Sequence, residues 1–140
     1  MNRVLVPVDG SQCSLAAIRY LVDGHGQGRR PEIHLVNVQV PMNRDVGQFI
    51  SGDDLAAFHR EKSDAALAQA RAGLESAGIP FEAHAVVGSP GDTIAQLAER
   101  LACDHIVMGT HGRAALAELL VGSTTIKVLH HARVPVVLVK

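Results

Sequence analysis

Residues 105–125 read HIVMGTHGRAALAELLVGSTT. The run from His105 to Met108 leads straight into a loop with two glycines three apart, Gly109 and Gly112. After nine intervening residues a third glycine, Gly122, precedes Ser123-Thr124-Thr125 and the helical spacing of Ile126 and Leu129. A strand that feeds a glycine loop and then a helix is part of a β-α-β crossover. The remaining sequence should then supply parallel partners for that strand.

It does. Arg3-Val-Leu-Val-Pro-Val8, Ile33-His-Leu-Val-Asn-Val38, Phe81 to Val87 and Pro135-Val-Val-Leu-Val139 are further β-rich runs. Leu15, Ile18 and Val22 fall at helical spacing between the first two. An Ala-rich helix from about Asp54 to Ala77 carries Leu67, Ala70 and Leu74 on one face. Ile94, Leu97, Ala98 and Leu101 follow at i, i+3, i+4 and i+7. Five strands alternating with four helices predict one α/β domain over residues 1–140, a doubly wound five-stranded parallel sheet with helices on both faces. The apolar strands predict burial on both sides, and right-handed crossovers leave few strand orders.

Composition narrows the function. The 140 residues carry a formal net charge of -1 and only four aromatics, Tyr20, Phe49, Phe58 and Phe81. This argues against nucleic-acid binding, which needs basic surface or stacking platforms. The N-terminal apolar run is broken at Asp9, too short for a signal peptide, and no run approaches a membrane span. Cys13 and Cys103 lack metal-ligand spacing, so a reduced, cytoplasmic protein without membrane insertion is expected.

In such sheets ligands bind beyond the carboxyl ends of the strands, where the strand order reverses. Gly24-His-Gly-Gln-Gly28 therefore reads as a connector with a helix-ending glycine, because it follows a helix and precedes a strand. Asp9-Gly10-Ser11, Gly88-Ser-Pro-Gly91 and the opening stretch lie at the binding end. Gly109 and Gly112 can aim backbone N–H groups inward, and the helix opened by Gly122-Ser123-Thr124 favours a phosphate. The hydroxyls of Ser123, Thr124 and Thr125 can add donors. Taken singly, Ser123 is an ordinary N-cap and the glycine pair an ordinary turn. Asp9 could accept from ribose or base, bind a metal ion on the phosphates, or simply close a turn. His111 and Arg113 are the loop's only candidate cations, so a divalent ion, Mg2+ or Mn2+, is expected to share the charge of a triphosphate. There is no P-loop and no strand followed by GxGxxG. No catalytic set can be read from spacing, and the remaining histidines, including His130-His131, read as surface or structural groups.

The whole chain resembles the ATP-binding branch of the universal stress proteins. The similarity runs from Val4-Leu-Val-Pro-Val-Asp-Gly-Ser11 through Asp104-His-Ile-Val-Met-Gly-Thr-His-Gly112 to Arg133-Val-Pro-Val-Val-Leu-Val139. Gly109, Gly112, Gly122 and Ser123 satisfy its G-x2-G-x9-G-[ST] pattern. The resemblance implies strand order 3-2-1-4-5 with a cleft between strands one and four. It implies that Pro7, Val8, Asp9 and Val38 lie near adenine and ribose, and Met108 and Gly109 against ribose and phosphates. Gly112, Gly122, Ser123 and Thr124 would form the phosphate cradle, with Arg113 and Thr125 beside it. A homodimer through Val136, Val137, Leu138 and Val139 is also implied. Two departures stand out: Ala114-Ala115 replace a glycine-containing pair, and Asn37 stands where histidine is common. The expected function is a nucleotide-dependent stress-response switch, binding ATP, ADP or AMP and meeting an unidentified regulatory partner. The alternatives are a slow ATPase or autophosphorylating enzyme in the same cleft, and an interaction module without nucleotide.

Overall fold

Strands and helices alternate through the computed structural model, which describes residues 2–42, 51–110 and 122–140. The order is β1 (Arg3–Pro7), α1 (Gln12–Gly26), β2 (Glu32–Gln39), α2 (Gly52–Ser76), β3 (Phe81–Val87), α3 (Pro90–Arg100), β4 (His105–Gly109), α4 (Ser123–His131) and β5 (Val136–Val139). His111, Gly112, Arg113, Ala114, Ala115 and the remaining residues of the glycine loop up to 121 lie outside the described residues.

The five strands form one sheet in the order β3-β2-β1-β4-β5, and every neighbouring pair is parallel. Alternation along each strand divides the core in two. Val4, Val6, Ile33, Leu35 and Val107 pack with Ala17, Ile18 and Leu21 of α1 and Leu67, Ala70 and Leu74 of α2. Leu5, Val36, Ile106 and Met108 pack on the other face with Ile94, Leu97 and Ala98 of α3 and Val128 of α4. Two helices thus cover each face. The order reverses between β1 and β4, because β2 and β3 build outward from one side of β1 while β4 and β5 lie on the other.

Three expectations need correction. Burial on both faces holds for the central strands, but the edge strands β3 and β5 are only partly covered; Val87 and Leu138 are exposed. Edge strands lack a neighbour on one side, and the helices lie over the middle of the sheet. Gly24 and Gly26 belong to α1, and the glycine beyond its C-cap Gln27 is Gly28, at φ +92°. Ser123 is the first helical residue of α4, whose N-cap is Gly122. Among the described residues no helix is long and apolar enough to cross a membrane.

Candidate nucleotide site

The carboxyl ends of β1 and β4 lie side by side where the strand order reverses. After β1, Val8 remains buried and extends the ladder, its N–H donating to the Val36 carbonyl at 2.8 Å. The Asp9 carboxylate accepts the Ser11 N–H at 2.9 Å, and Gly10 takes φ +85°. This Asx turn swings the chain into α1, whose N-cap Ser11 accepts from the Ser14 N–H. Asp9 therefore does close a turn, as its plainer reading held.

The Val8 carbonyl is held from the neighbouring strand. Asn37, buried in β2, donates its side-chain N–H to that oxygen at 2.7 Å. Its Oδ1 accepts from the Ser63 hydroxyl at 3.0 Å and the Gln39 amide at 2.7 Å. The departure from the commoner histidine is thus a hub linking β1, β2 and α2, and it fixes the backbone just ahead of Asp9. Val38 is half-buried on the opposite face of β2, against the cluster that contains Met108.

On the other side of the cleft Gly109 ends β4 in very close contact with α1. A Cβ there would lie 2.6 Å from the carbonyl carbon of Cys13 and would collide with its oxygen. Thr125 is buried and donates its hydroxyl to the Gly109 carbonyl at 3.3 Å. The Gly122 N–H donates to the Thr110 carbonyl at 2.7 Å. These two bonds hold the ends of the glycine loop together, with β4 on one side and α4 on the other. Gly122 offers no capping side chain, and first-turn N–H groups have no intrahelical acceptor. The N–H groups of Ser123, Thr124 and Thr125 belong to that turn. Ser123 is exposed and Thr124 half-buried.

The structure thus brings together Pro7, Val8, Asp9, Met108, Gly109, Gly122, Ser123, Thr124 and Thr125, with Val38 one strand away. Gly112 and Arg113 lie outside the described residues. A cavity of about 430 Å³ sits elsewhere, lined by Asn2, Tyr20, Leu21, Arg29 and Arg30 at the amino ends of the strands. That is the end opposite the loops, where the strand-end rule places no ligand.

The sequence reading passed over a second cluster. His34 of β2 is buried, with its Nδ1 3.0 Å from His84 Nε2 and its Nε2 3.1 Å from a Glu32 oxygen. Hydrogen bonds from Arg3 and His34 hold Glu32 below the usual carboxylate range. Burial, with His34 alongside, holds the His84 imidazole below its ordinary value. The available signal was the Glu-x-His spacing of Glu32 and His34, repeated in Glu82 and His84, since residues two apart on a strand share a face.

The model of the universal stress protein family matches residues 1–140. A curated relative, universal stress protein MJ0531 of Methanocaldococcus jannaschii, is 28% identical over 99% of this chain and 82% of its own. Among solved structures, protein MJ0577 superposes with TM-score 0.82 at 28% identity, covering 99% of this chain and 95% of that one. A universal stress protein in complex with cAMP gives TM-score 0.71 at 24% identity, covering 99% and 97%. One from Archaeoglobus fulgidus in complex with dAMP gives 0.70 at 20% identity, covering 100% and 98%.

Proposed function

The chain belongs to the universal stress protein family, and from that premise we propose that it is a homodimeric adenine-nucleotide-binding regulatory protein, taking ATP and acting as a stress-response switch. The observation that carries the reading is the closed loop base at the β1/β4 switch point. Gly122 bonds to Thr110 there, and a helix start without a capping side chain sits beside it. A helix N-terminus in that position suits a phosphate chain. The binding of cAMP and dAMP by structures of the same fold supports an adenine nucleotide.

In this reading Pro7, Val8, Asp9 and Val38 meet the adenosine, with Asp9 accepting from ribose. Met108 and Gly109 flank the ribose and phosphates. Gly112, Gly122, Ser123 and Thr124 supply the cradle, and Arg113 a cation. Thr125 acts by holding Gly109 to α4. The fit is good for phosphate and sparing for a metal. Among the described residues, the one group of three His, Cys, Asp or Glu side chains able to share an ion is on β2 and β3. Mg2+ or Mn2+ would therefore be held mainly by the phosphates and water, with Asp9 as the nearest protein candidate. Nucleotide binding would present a partner with a different surface.

The test is to purify the protein without added ligand, denature it, and identify what is released by chromatography and mass spectrometry. ATP or its products should appear at near one equivalent per chain. Saturating Mg-ATP should raise unfolding stability by ~3–4 kcal/mol, and Gly112→Val should abolish that gain without unfolding the protein. A chain that releases nothing and ignores Mg-ATP would overturn the reading.

A further inference from the structure

Adjacent strands each carry a Glu-x-His segment, Glu32-Ile-His34 on β2 and Glu82-Ala-His84 on β3. The parallel register sets His34 opposite Glu82 and Val36 opposite His84. The two segments are therefore offset by two residues, and all four polar side chains fall on one face of the sheet. His34, Glu82 and His84 each direct one ligand atom into a common space, all within 4.8 Å of one another. His34 Nδ1 lies 3.0 Å from His84 Nε2 and 3.3 Å from Glu82 Oε2.

The His34–Glu82 separation matches the edge of a metal tetrahedron, and the His34–His84 one is a few tenths of an ångström shorter. Bonds of ~2.0–2.1 Å at tetrahedral angles put neighbouring ligand atoms ~3.3–3.4 Å apart. The outer arrangement fits as well. Glu32 accepts at 3.1 Å from His34 Nε2, and Arg3 holds Glu32 at 3.0 Å. A carboxylate only accepts, so the proton of a neutral His34 sits on Nε2 and the Nδ1 lone pair faces the cluster. Without an ion that lone pair can accept the His84 Nε2–H at 3.0 Å, and a cation would take the place of that proton with Glu82 alongside. A carboxylate behind the distal nitrogen is also what fixes the ring of a metal-bound histidine. The Glu82 side chain is 70% exposed, which leaves an entry path and room for water as a fourth ligand.

We propose that His34 Nδ1, His84 Nε2 and Glu82 bind one divalent ion of the Zn2+ class, with Glu32 as the carboxylate behind His34. Two imidazoles and one carboxylate suit Zn2+ better than Mg2+ or Ca2+, which prefer all-oxygen ligand sets. The ion would clamp edge strand β3 to β2. His34 stands four residues before Val38, roughly 13 Å along the strand, so the site is separate from the nucleotide cleft and does not depend on that reading.

The experiment uses untagged full-length protein, stripped with chelator and desalted. Zn2+ is titrated by calorimetry, and Co2+ by its visible absorption. One saturable equivalent per chain is expected, with the intense bands of four-coordinate Co2+. Glu32→Gln should weaken Zn2+ binding ~10–100-fold, Glu82→Gln at least as much, and His84→Gln should remove it. Because Glu82 is exposed, its variant tests the site even if a histidine variant misfolds. Histidine ring resonances of the unmodified protein, followed during the titration, give a readout free of mutation. Absence of saturable binding would overturn the site. Binding that survives both Glu82→Gln and His84→Gln, for instance at His130-His131, would overturn it equally.

Discussion

Gly109 answers to two demands. It belongs to the glycine pattern expected to approach a phosphate, yet its missing Cβ is already needed where the first turn of α1 meets the end of β4. Gly109→Ala should therefore destabilise the nucleotide-free protein, by about 2 kcal/mol if the backbone yields as in other overpacked cores, measured by denaturant unfolding. An unchanged midpoint would mean that α1 can retreat freely and that the glycine serves the ligand alone. Cys103 makes a different residue-scale case. Burial pushes its thiol up, Asp104 and Glu32 add to the shift, and Arg3 opposes it. Above the ordinary thiol value of 9.0 the unfolded chain releases a proton that the fold retains, so this residue's contribution to stability falls as pH rises. Unfolding at pH 8 and pH 10 should therefore differ less in Cys103→Ala than in the parent. In native protein a thiol reagent should reach half-buried Cys13 before buried Cys103.

At the scale of elements, the turn from α3 into β4 sets the position of the strand that ends at Gly109. Ala102 adopts φ +54°, its N–H donates to Glu99 at 3.0 Å, and the Cys103 N–H donates to Ala98 at 2.9 Å. This is a Schellman ending with alanine where glycine is usual. A Cβ in the left-handed region costs roughly 1–2 kcal/mol, and the extra unfolded-state freedom of glycine offsets part of that. Ala102→Gly should raise stability by about 0.5–1 kcal/mol in chemical denaturation, with the sheet unchanged. A neutral or negative result would mean that the turn relaxes without strain. The periodicity of Ile94, Leu97 and Ala98 revealed α3 because burial of one helical face leaves a mark in sequence. The left-handed residue after it left none, since alanine is ordinarily a helix former. The helix opens at Gly122-Ser123-Thr124 as the sequence indicates, but the cap is Gly122, bonded to Thr110, and not Ser123, which is a good N-cap only in isolation.

At the scale of the whole molecule, β5 is an edge strand of Val136, Val137, Leu138 and Val139, with Leu138 exposed and no charge along its length. An uncharged apolar edge invites pairing with a second copy, and a single lysine is the usual protection against it. Leu138→Lys should convert the proposed dimer to monomer in light scattering, while the far-ultraviolet dichroism stays the same. A wild-type chain that is already monomeric at micromolar concentration would remove β5 as an interface.

The sequence by itself determined the alternation of elements, the parallel sheet and the end of the sheet at which a ligand would bind. Each of those follows from local hydrophobic period and from the handedness of crossovers, which act within a short stretch of chain. It also marked Gly109, Gly122 and Ser123 through their fixed spacing. Only the tertiary structure decided that Asn37 secures the backbone before Asp9, that Thr125 bonds to Gly109, and that Gly109 makes room for Cys13. It alone joined His34 to Glu82 and His84, because strand register pairs residues some fifty positions apart. Such contacts depend on which strands become neighbours and in what alignment, and no local pattern in the chain encodes that alignment.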